Sequence, residues 1–259
     1  RLKSVYGFAQ DTTWAHVGKL DSLVLTKQFS EDTANTLKNA GINLNFAPVL
    51  DLDYGSGRVI SDQERACSND PEKVIEHAKI FIKAHRDNKV ITCGKHFPGL
   101  GSASGDTHEG ITDISNSWTV KDLQPFDKLI QDNELDTVMV SHAFDKKLDP
   151  DYPSSLSQNI ITKMLRNDLG FEGVIICDDP SMRAISDHYS LEETFKLMLD
   201  AGVDLFCLGN NLIYDPDYIP NAIKSVCDLI SAGKIKKARI EQSIDKIELL
   251  KSNYGIGKK

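Results

Sequence analysis

Short continuous apolar runs alternate with amphipathic stretches over most of the chain. The pattern predicts strands at Ile42–Leu50, Val90–Phe97, Thr137–Ser141, Gly173–Cys177 and Val203–Leu208. Between them it predicts helices. Ser30-Glu31-Asp32 opens one that runs to Ala40 and stops at Gly41. Asp70-Pro71-Glu72 is a strong helix start, with a capping carboxylate and a proline in the first turn. The helix it opens reaches about Asn88, and Val74, Ile75, Ala78, Ile80, Phe81 and Ala84 form its apolar stripe. Further helices are expected at 120–132, 158–168, 191–201, 219–232 and 238–253, whereas residues 1–30 show little periodicity.

Strands that are apolar throughout, separated by helices, indicate a parallel sheet covered on its outer side. The residues at the end of each strand are more informative: Asp51, Lys95-His96, His142, Asp178-Asp179 and Asn210. Polar and titratable groups at the C-terminal ends of many strands are the mark of a (β/α)8 TIM-type barrel. A doubly wound sheet would concentrate them at one switch point. Only five strands are clear, so the expected barrel lacks its first strand in this chain, and others are short or irregular. With no linker, repeat or low-complexity tract, residues 1–259 are expected to form a single domain.

Composition narrows the function. Apolar residues make up 40% of the 259, enough for a large core, and the net charge of −8 argues against a nucleic-acid partner. Five cysteines, none in a C-x-x-C pair, suggest neither a zinc site nor a disulfide framework and fit a reducing compartment. No apolar run reaches the roughly 20 residues that cross a bilayer, so no membrane association is expected. The first residue is Arg1 rather than Met, so the chain is expected to start after the natural N-terminus.

Chemistry concentrates in Lys95-His96-Phe97-Pro98-Gly99-Leu100-Gly101-Ser102-Ala103-Ser104-Gly105-Asp106-Thr107-His108. A strand that breaks into this density of Gly and Pro forms a loop with special backbone angles. Asp106-x-His108 offers a carboxylate to orient an imidazole, which can then donate and accept protons; the same pair could equally be solvated on a surface loop. Asp178, held at a rigid strand end, suits a nucleophile, and a turn residue is the other reading; Asp179 before Pro180 fits the turn better. Lys95 and His96 read as donors to sugar hydroxyls or as partners of carboxylates, and Lys95 could also reach solvent. Arg65 by itself reads as a surface ion pair. His142 could join His96 and His108 around a metal, but no H-x-H or H-E-x-x-H spacing supports it, and neither metal nor cofactor is expected.

These segments resemble a known family. Asn45-Phe46-Ala47-Pro48-Val49-Leu50-Asp51-Leu52-Asp53, Gly94-Lys95-His96-Phe97-Pro98-Gly99 with its Asp106-x-His108 tail, and Gly173 through Asp178-Asp179-Pro180-Ser181-Met182 are similar to glycoside hydrolase family 3. The resemblance is closest to its β-N-acetylglucosaminidase branch. It implies a retaining hydrolase acting on terminal β-linked N-acetylglucosamine, with a glycan or muropeptide from peptidoglycan as substrate. It implies Asp178 as nucleophile, His108 as acid/base with Asp106 as its partner, and Arg1, Arg65, Lys95 and His96 as sugar-binding residues. An unperturbed imidazole titrates near 6.5, so it can both protonate and deprotonate close to neutral pH. The resemblance also implies a monomer trimming cell-wall fragments in a bacterial cytoplasm, with the periplasm as the other location. The chain departs from the branch in two places: Leu100 stands where His is usual, and Pro180 where Leu is usual. Phosphorolysis at the same site is the first alternative. A non-catalytic sugar-binding protein is the second, should the first strand be truly absent, and a metal-dependent hydrolase is the third.

Overall fold

Apolar strands and amphipathic helices assemble as the sequence pattern predicts over most of the chain. The computed structural model describes residue 7, residues 12–210 and residues 214–257, so Arg1 lies outside the described residues. The order is α1 (Trp14–Leu20), α2 (Leu23–Asn39), β1 (Leu44–Asn45), α3 (Val59–Asp62), α4 (Pro71–Asp87), β2 (Ile91–Phe97), α5 (Val120–Gln131) and β3 (Thr137–Val140). A π-wound helix (Asn159–Asp168) comes next, then β4 (Val174–Cys177), α6 (Arg183–Ser186), α7 (Leu191–Ala201), β5 (Leu205–Phe206), α8 (Tyr218–Ser231) and α9 (Lys237–Asn253).

The five strands pair in parallel in the order β1-β2-β3-β4-β5. Alternation of side chains sorts them into two layers. Val138, Val140, Ile175 and Cys177 face outward against Val74, Ile75, Ala78 and Ile82 of α4, Phe126 and Leu129 of α5, and Ile160 and Ile161. Cys93, Met139, Val174 and Ile176 face inward, joined by Leu44 and Leu205 from the edge strands and by Cys207 just past β5. Each fully buried Ile or Leu in these layers contributes about 1.5–3 kcal/mol. On α4 the residue in the core is Ile82, fully buried, while Ile80 of the predicted stripe is only half-buried.

Three predicted boundaries change. The strand expected over Ile42–Leu50 is regular only at Leu44–Asn45 and rejoins β2 through a bridge between Val49 and Lys95. Between them the register shifts by one residue, while the Ala47 and Pro48 carbonyls still accept from the Cys93 and Lys95 amides at 2.7 and 3.2 Å. The strand expected over Val203–Leu208 shortens to Leu205–Phe206. The helix expected from Ser30 starts at Leu23, capped by the Ser22 hydroxyl accepting from the Leu25 amide at 3.4 Å. Its buried stripe is Thr26, Ser30, Ala34 and Leu37, while Leu23, Val24 and Leu25 are exposed. Small and hydroxyl residues at helical spacing carry no hydrophobic signal. Thr26 instead meets His77 of α4, with Oγ1 2.7 Å from Nδ1.

The last helix crosses the N-terminal ends of three strands. Arg239 donates to the Val203 carbonyl at 2.7 Å, Lys246 to the Glu172 carbonyl at 2.8 Å, and the Tyr254 hydroxyl to Asp136 at 2.5 Å. Ile247 and Leu250 of α9 pack on the inward layer. Between them, buried Asp204 is held by Arg166 at 2.5 Å, Ser243 at 2.6 Å and the Ile175 amide at 3.1 Å. This end of the sheet is structural. The opposite end carries the site.

Candidate active site

The inward register continues past the strands into the loops. Val174 and Ile176 face inward on β4, and Asp178 is the next residue of that set. Cys93 faces inward on β2, and Lys95 is next in the same set. The pairing of β2 with β3 slips between Lys95 and Phe97, leaving His96 as an extra residue without a partner on β3. Such a bulge redirects a side chain. Lys95, His96 and Asp178 therefore converge with Arg65, Asp106 and His108 on one cleft of about 200 Å³, which Val59, Ile60, Leu100 and Thr107 also line. Of the residues singled out in the sequence, Arg1 alone falls outside the described residues.

The loop from Gly99 to His108 is tied at several points. The Leu100 amide donates to Asp51 at 2.7 Å, and the Ala103 carbonyl accepts from the Val59 amide at 3.3 Å. Gly101 runs so close to Leu52 that a Cβ there would lie 2.1 Å from its carbonyl oxygen. Farther on, the Thr107 carbonyl accepts from the Ala184 amide at 3.3 Å. Leu100 is buried with Ile60, Ala66, Ala103, Ile114 and Ala143, so an apolar residue fits this position.

Asp106 folds onto His108 in a tight turn. Its Oδ1 accepts from the His108 amide at 3.0 Å and lies 2.6 Å from Nδ1 of the ring. The His108 side chain is 52% exposed, which leaves its far edge open to the cleft. Burial raises the Asp106 carboxyl, but the His108 amide and ring and the Arg65 charge outweigh it, so it sits below the usual carboxylate range.

Asp178 lies at the mouth of the sheet. Burial opposes its ionisation, yet His96, His142, the Asp179 amide and Lys95 together hold its carboxyl below the ordinary value. Burial and the neighbouring Arg65 charge lower the Lys95 ammonium, against the pull of Asp178 and Asp51. Asp179 turns the other way, as its place in the strand predicts: its carboxylate accepts from the Ser181 amide at 2.9 Å and the Gly209 amide at 3.1 Å. His142 is engaged at both ring nitrogens, with Ser155 Oγ at 2.7 Å and the Asp179 carbonyl at 2.9 Å.

Arg65 is not the surface ion pair that its local sequence suggests. Its Nη2 lies 3.1 Å from His96 Nε2, and its Nη1 lies 3.5 Å from the Gln63 side chain. Behind His96 sits Asp51, fully buried, with Oδ2 2.6 Å from Nδ1 and Oδ1 accepting from the His96 amide at 3.2 Å. The sequence marks Asp51 as a strand-end carboxylate but does not reveal its partner.

A larger cleft, of about 290 Å³, lies by Arg166, Asp204, Arg239 and Lys246 at the other end of the sheet. Its arginines are committed to backbone carbonyls and to Asp204. Of these two clefts, only the first joins carboxylates to an accessible imidazole.

Known proteins are similar to this chain in sequence and fold. A "Beta-hexosaminidase" of Hydrogenovibrio crunogenus is 36% identical over 214 residues, 79% of this chain and 59% of that protein. The chain thus spans about three fifths of that relative's length. A β-N-acetylglucosaminidase structure from Thermotoga maritima is 30% identical with a TM-score of 0.81, covering 96% of this chain and 52% of that one. A glycoside hydrolase family 3 β-N-acetylglucosaminidase from Paenibacillus is 26% identical with a TM-score of 0.88, covering 98% and 48%. The profile described as "Glycosyl hydrolase family 3 N terminal domain" matches residues 7–250, which include every cleft residue named above. With a curled parallel sheet and a cleft at its C-terminal end, the chain belongs to glycosyl hydrolase family 3.

Proposed function

We propose that the chain is the catalytic barrel of a retaining exo-β-N-acetylglucosaminidase. The observation that carries this reading is the convergence of the Asp178 carboxylate and the Asp106–His108 pair on one cleft. Its volume of about 200 Å³ is below the roughly 300–1,000 Å³ of pockets for drug-sized ligands, which suits one terminal sugar ring. The names of the similar proteins support the same substrate class.

In the first step an Asp178 oxygen attacks the anomeric carbon and forms a glycosyl ester. The bond to the leaving oxygen breaks, and that oxygen takes a proton from His108. In the second step His108 takes a proton from water as the water attacks the anomeric carbon. The ester breaks, and the sugar leaves with its configuration retained. Two carboxylates usually share these duties; here an imidazole paired with Asp106 replaces one. Lys95, His96 and Arg65 would hold the sugar, with Arg1 joining them. No step calls for a metal or cofactor.

The wider reading is a single domain of the (β/α)8 type that acts as a monomer in the cytoplasm, with the periplasm as the other location, and trims peptidoglycan fragments. Phosphorolysis at the same site is the second reading. An uncharged imidazole base repels an incoming phosphate less than a carboxylate would. Incubation with an aryl N-acetyl-β-glucosaminide, with and without phosphate, tests both. Free N-acetylglucosamine under both conditions supports hydrolysis. N-acetylglucosamine 1-phosphate formed only with phosphate supports the second reading. Sugar binding without turnover defeats both.

A further inference from the structure

β4 bonds to β3 at alternate residues. The Val174 amide donates to the Asp136 carbonyl at 3.0 Å, and the Asp178 amide to the Val140 carbonyl at 3.0 Å. The next rung of that series would run from the amide of residue 180 to the His142 carbonyl. Residue 180 is proline, which has no N–H to donate, so the ladder cannot continue past Asp178. A side chain takes over where it stops. His142 is fully buried, and its Nε2 lies 2.9 Å from the Asp179 carbonyl. A carbonyl oxygen only accepts, so Nε2 must carry a proton. Nδ1 faces the Ser155 hydroxyl at 2.7 Å, which can donate to the lone pair of the neutral ring. Ser155 is itself buried in a short turn, Ser154–Leu156, tied to the Ala143 carbonyl by the Ser154 amide at 2.8 Å and hydroxyl at 2.9 Å.

We propose that His142 is a positioning residue that aims the Asp178 carboxylate by holding the Asp179 carbonyl, and that it does not touch the substrate. The proposal rests on reading Asp178 as the nucleophile. Asp179 is gripped on both sides: its carbonyl by His142, and its carboxylate by the Ser181 and Gly209 amides at 2.9 and 3.1 Å. With these fixed, the Asp179 amide is fixed too, and it donates to Asp178 Oδ1 at 2.9 Å. One end of the chain of contacts is thus a buried serine, and the other is the carboxylate that attacks. His142 is absent from the cleft lining, and protein groups occupy both of its ring nitrogens, so it has no polar ring atom to offer a sugar.

The first test is nitrogen NMR of the histidine rings in the full chain. His142 should carry its proton on Nε2 in the parent, and also in Ser155→Ala, where the carbonyl still demands it. A parent ring with its proton on Nδ1 overturns the proposal, and this measurement needs no variant to fold. The second test compares His142→Leu, which removes the donor, with His142→Gln, whose amide can donate from near the place of Nε2. His142→Leu should lower kcat/KM by about tenfold to a hundredfold, the size expected for a misplaced reacting group. His142→Gln should recover most of that loss. The loss should be equal on activated aryl and on alkyl N-acetylglucosaminides, because attack by Asp178 is common to both. Calorimetric binding of N-acetylglucosamine should match the parent in both variants. A loss confined to alkyl substrates, weakened sugar binding, or no recovery in a His142→Gln protein that melts with the parent would each overturn the proposal. A parent that turns over neither substrate defeats the functional reading instead, and the ring measurement then still decides whether His142 donates to the turn.

Discussion

Asp106 grips His108 twice with one oxygen, through the backbone amide at 3.0 Å and through ring Nδ1 at 2.6 Å. The ring orientation is therefore built into a three-residue turn rather than imposed by the distant core. Because Nδ1 faces the carboxylate, Nε2 is the atom left to exchange protons with the substrate.

A proton-donating His108 separates substrates by leaving group. General acid–base catalysis contributes about 10²–10⁴-fold, so His108→Ala should lose about that much on alkyl N-acetylglucosaminides. It should lose far less on activated aryl ones, whose leaving oxygen needs no proton. Asp106→Ala should show the same selectivity with a smaller loss. Rates plotted against leaving-group acidity decide the matter, and equal losses across the series would remove His108 from the acid role.

Asp178 is expected to carry the covalent intermediate. Asp178→Ala should abolish turnover of an aryl N-acetylglucosaminide while circular dichroism and melting remain close to the parent. In His108→Ala, where water activation is slow, mass spectrometry should find an added N-acetylhexosaminyl group on the peptide containing Asp178. An adduct on another residue, or substantial activity in Asp178→Ala, would refute the assignment.

The close passage of Gly101 against Leu52 makes the loop sensitive to a single methyl group. A Cβ 2.1 Å from the Leu52 carbonyl cannot be accommodated without backbone movement. Overpacking of this kind costs about 1–3 kcal/mol, and Gly101→Ala should lower the melting midpoint by about 2–4 °C per kcal/mol. Because the loop also carries His108, kcat/KM should fall by about tenfold to a hundredfold. Unchanged kinetics in a destabilised variant would show that His108 is positioned independently of Gly101.

His85 predicts how stability depends on pH. Its Nδ1 lies 2.9 Å from the Phe81 carbonyl, its Nε2 lies 3.1 Å from Asn45 Nδ2, and its ring stacks on Phe81 at 4.0 Å. Burial pushes this imidazole down to about 4. Above about pH 6.5 both the folded and unfolded rings are neutral and no stability is at stake. Below it the unfolded chain takes the proton first, so folding stability falls as pH drops from about 6.5 to about 4, by up to about 3 kcal/mol. Denaturant titrations at about pH 7 and about pH 4.5, either side of most of that window, should show this loss, and His85→Gln should reduce it. An equal loss in both proteins would place the acid sensitivity elsewhere, with buried His96 and His142 as the next groups to replace.

Much of the architecture was legible because the central strands are apolar on both faces. Thr137–Val140 and Val174–Cys177 can only be buried, and their flanking polar residues had to mark the strand ends. The end of α2 was legible, but α1 and the first turns of α2 were not, because α2 buries Thr26, Ser30 and Ala34 and exposes Val24, the reverse of what a hydrophobic stripe encodes. In the cleft, Asp106 and His108 announce each other by being two residues apart. Arg65 meets His96 across 31 positions, and His96 meets Asp51 across 45. Contacts at such separations depend on the β2 bulge and on the turn after β1, and local sequence specifies neither. The identity of Leu100 likewise makes sense only beside Ile60 and Ile114, which pack against it in the fold.

The crossing of α9 beneath the sheet has a consequence for how the molecule is made. Tyr254 meets Asp136 over 118 residues, and Lys246 meets Glu172 over 74. Contacts this remote carry a large loop-closure cost and form late in folding. During synthesis the strands emerge long before the helix that covers their starts, leaving Met139, Val174 and Ile176 without the Ile247 and Leu250 that pack on them. A nascent chain halted before α9 would therefore present a wet apolar face to chaperones and proteases. The last helix acts as the latch that ends this exposure, so its weakening would show first as poor yield from the ribosome rather than as altered catalysis.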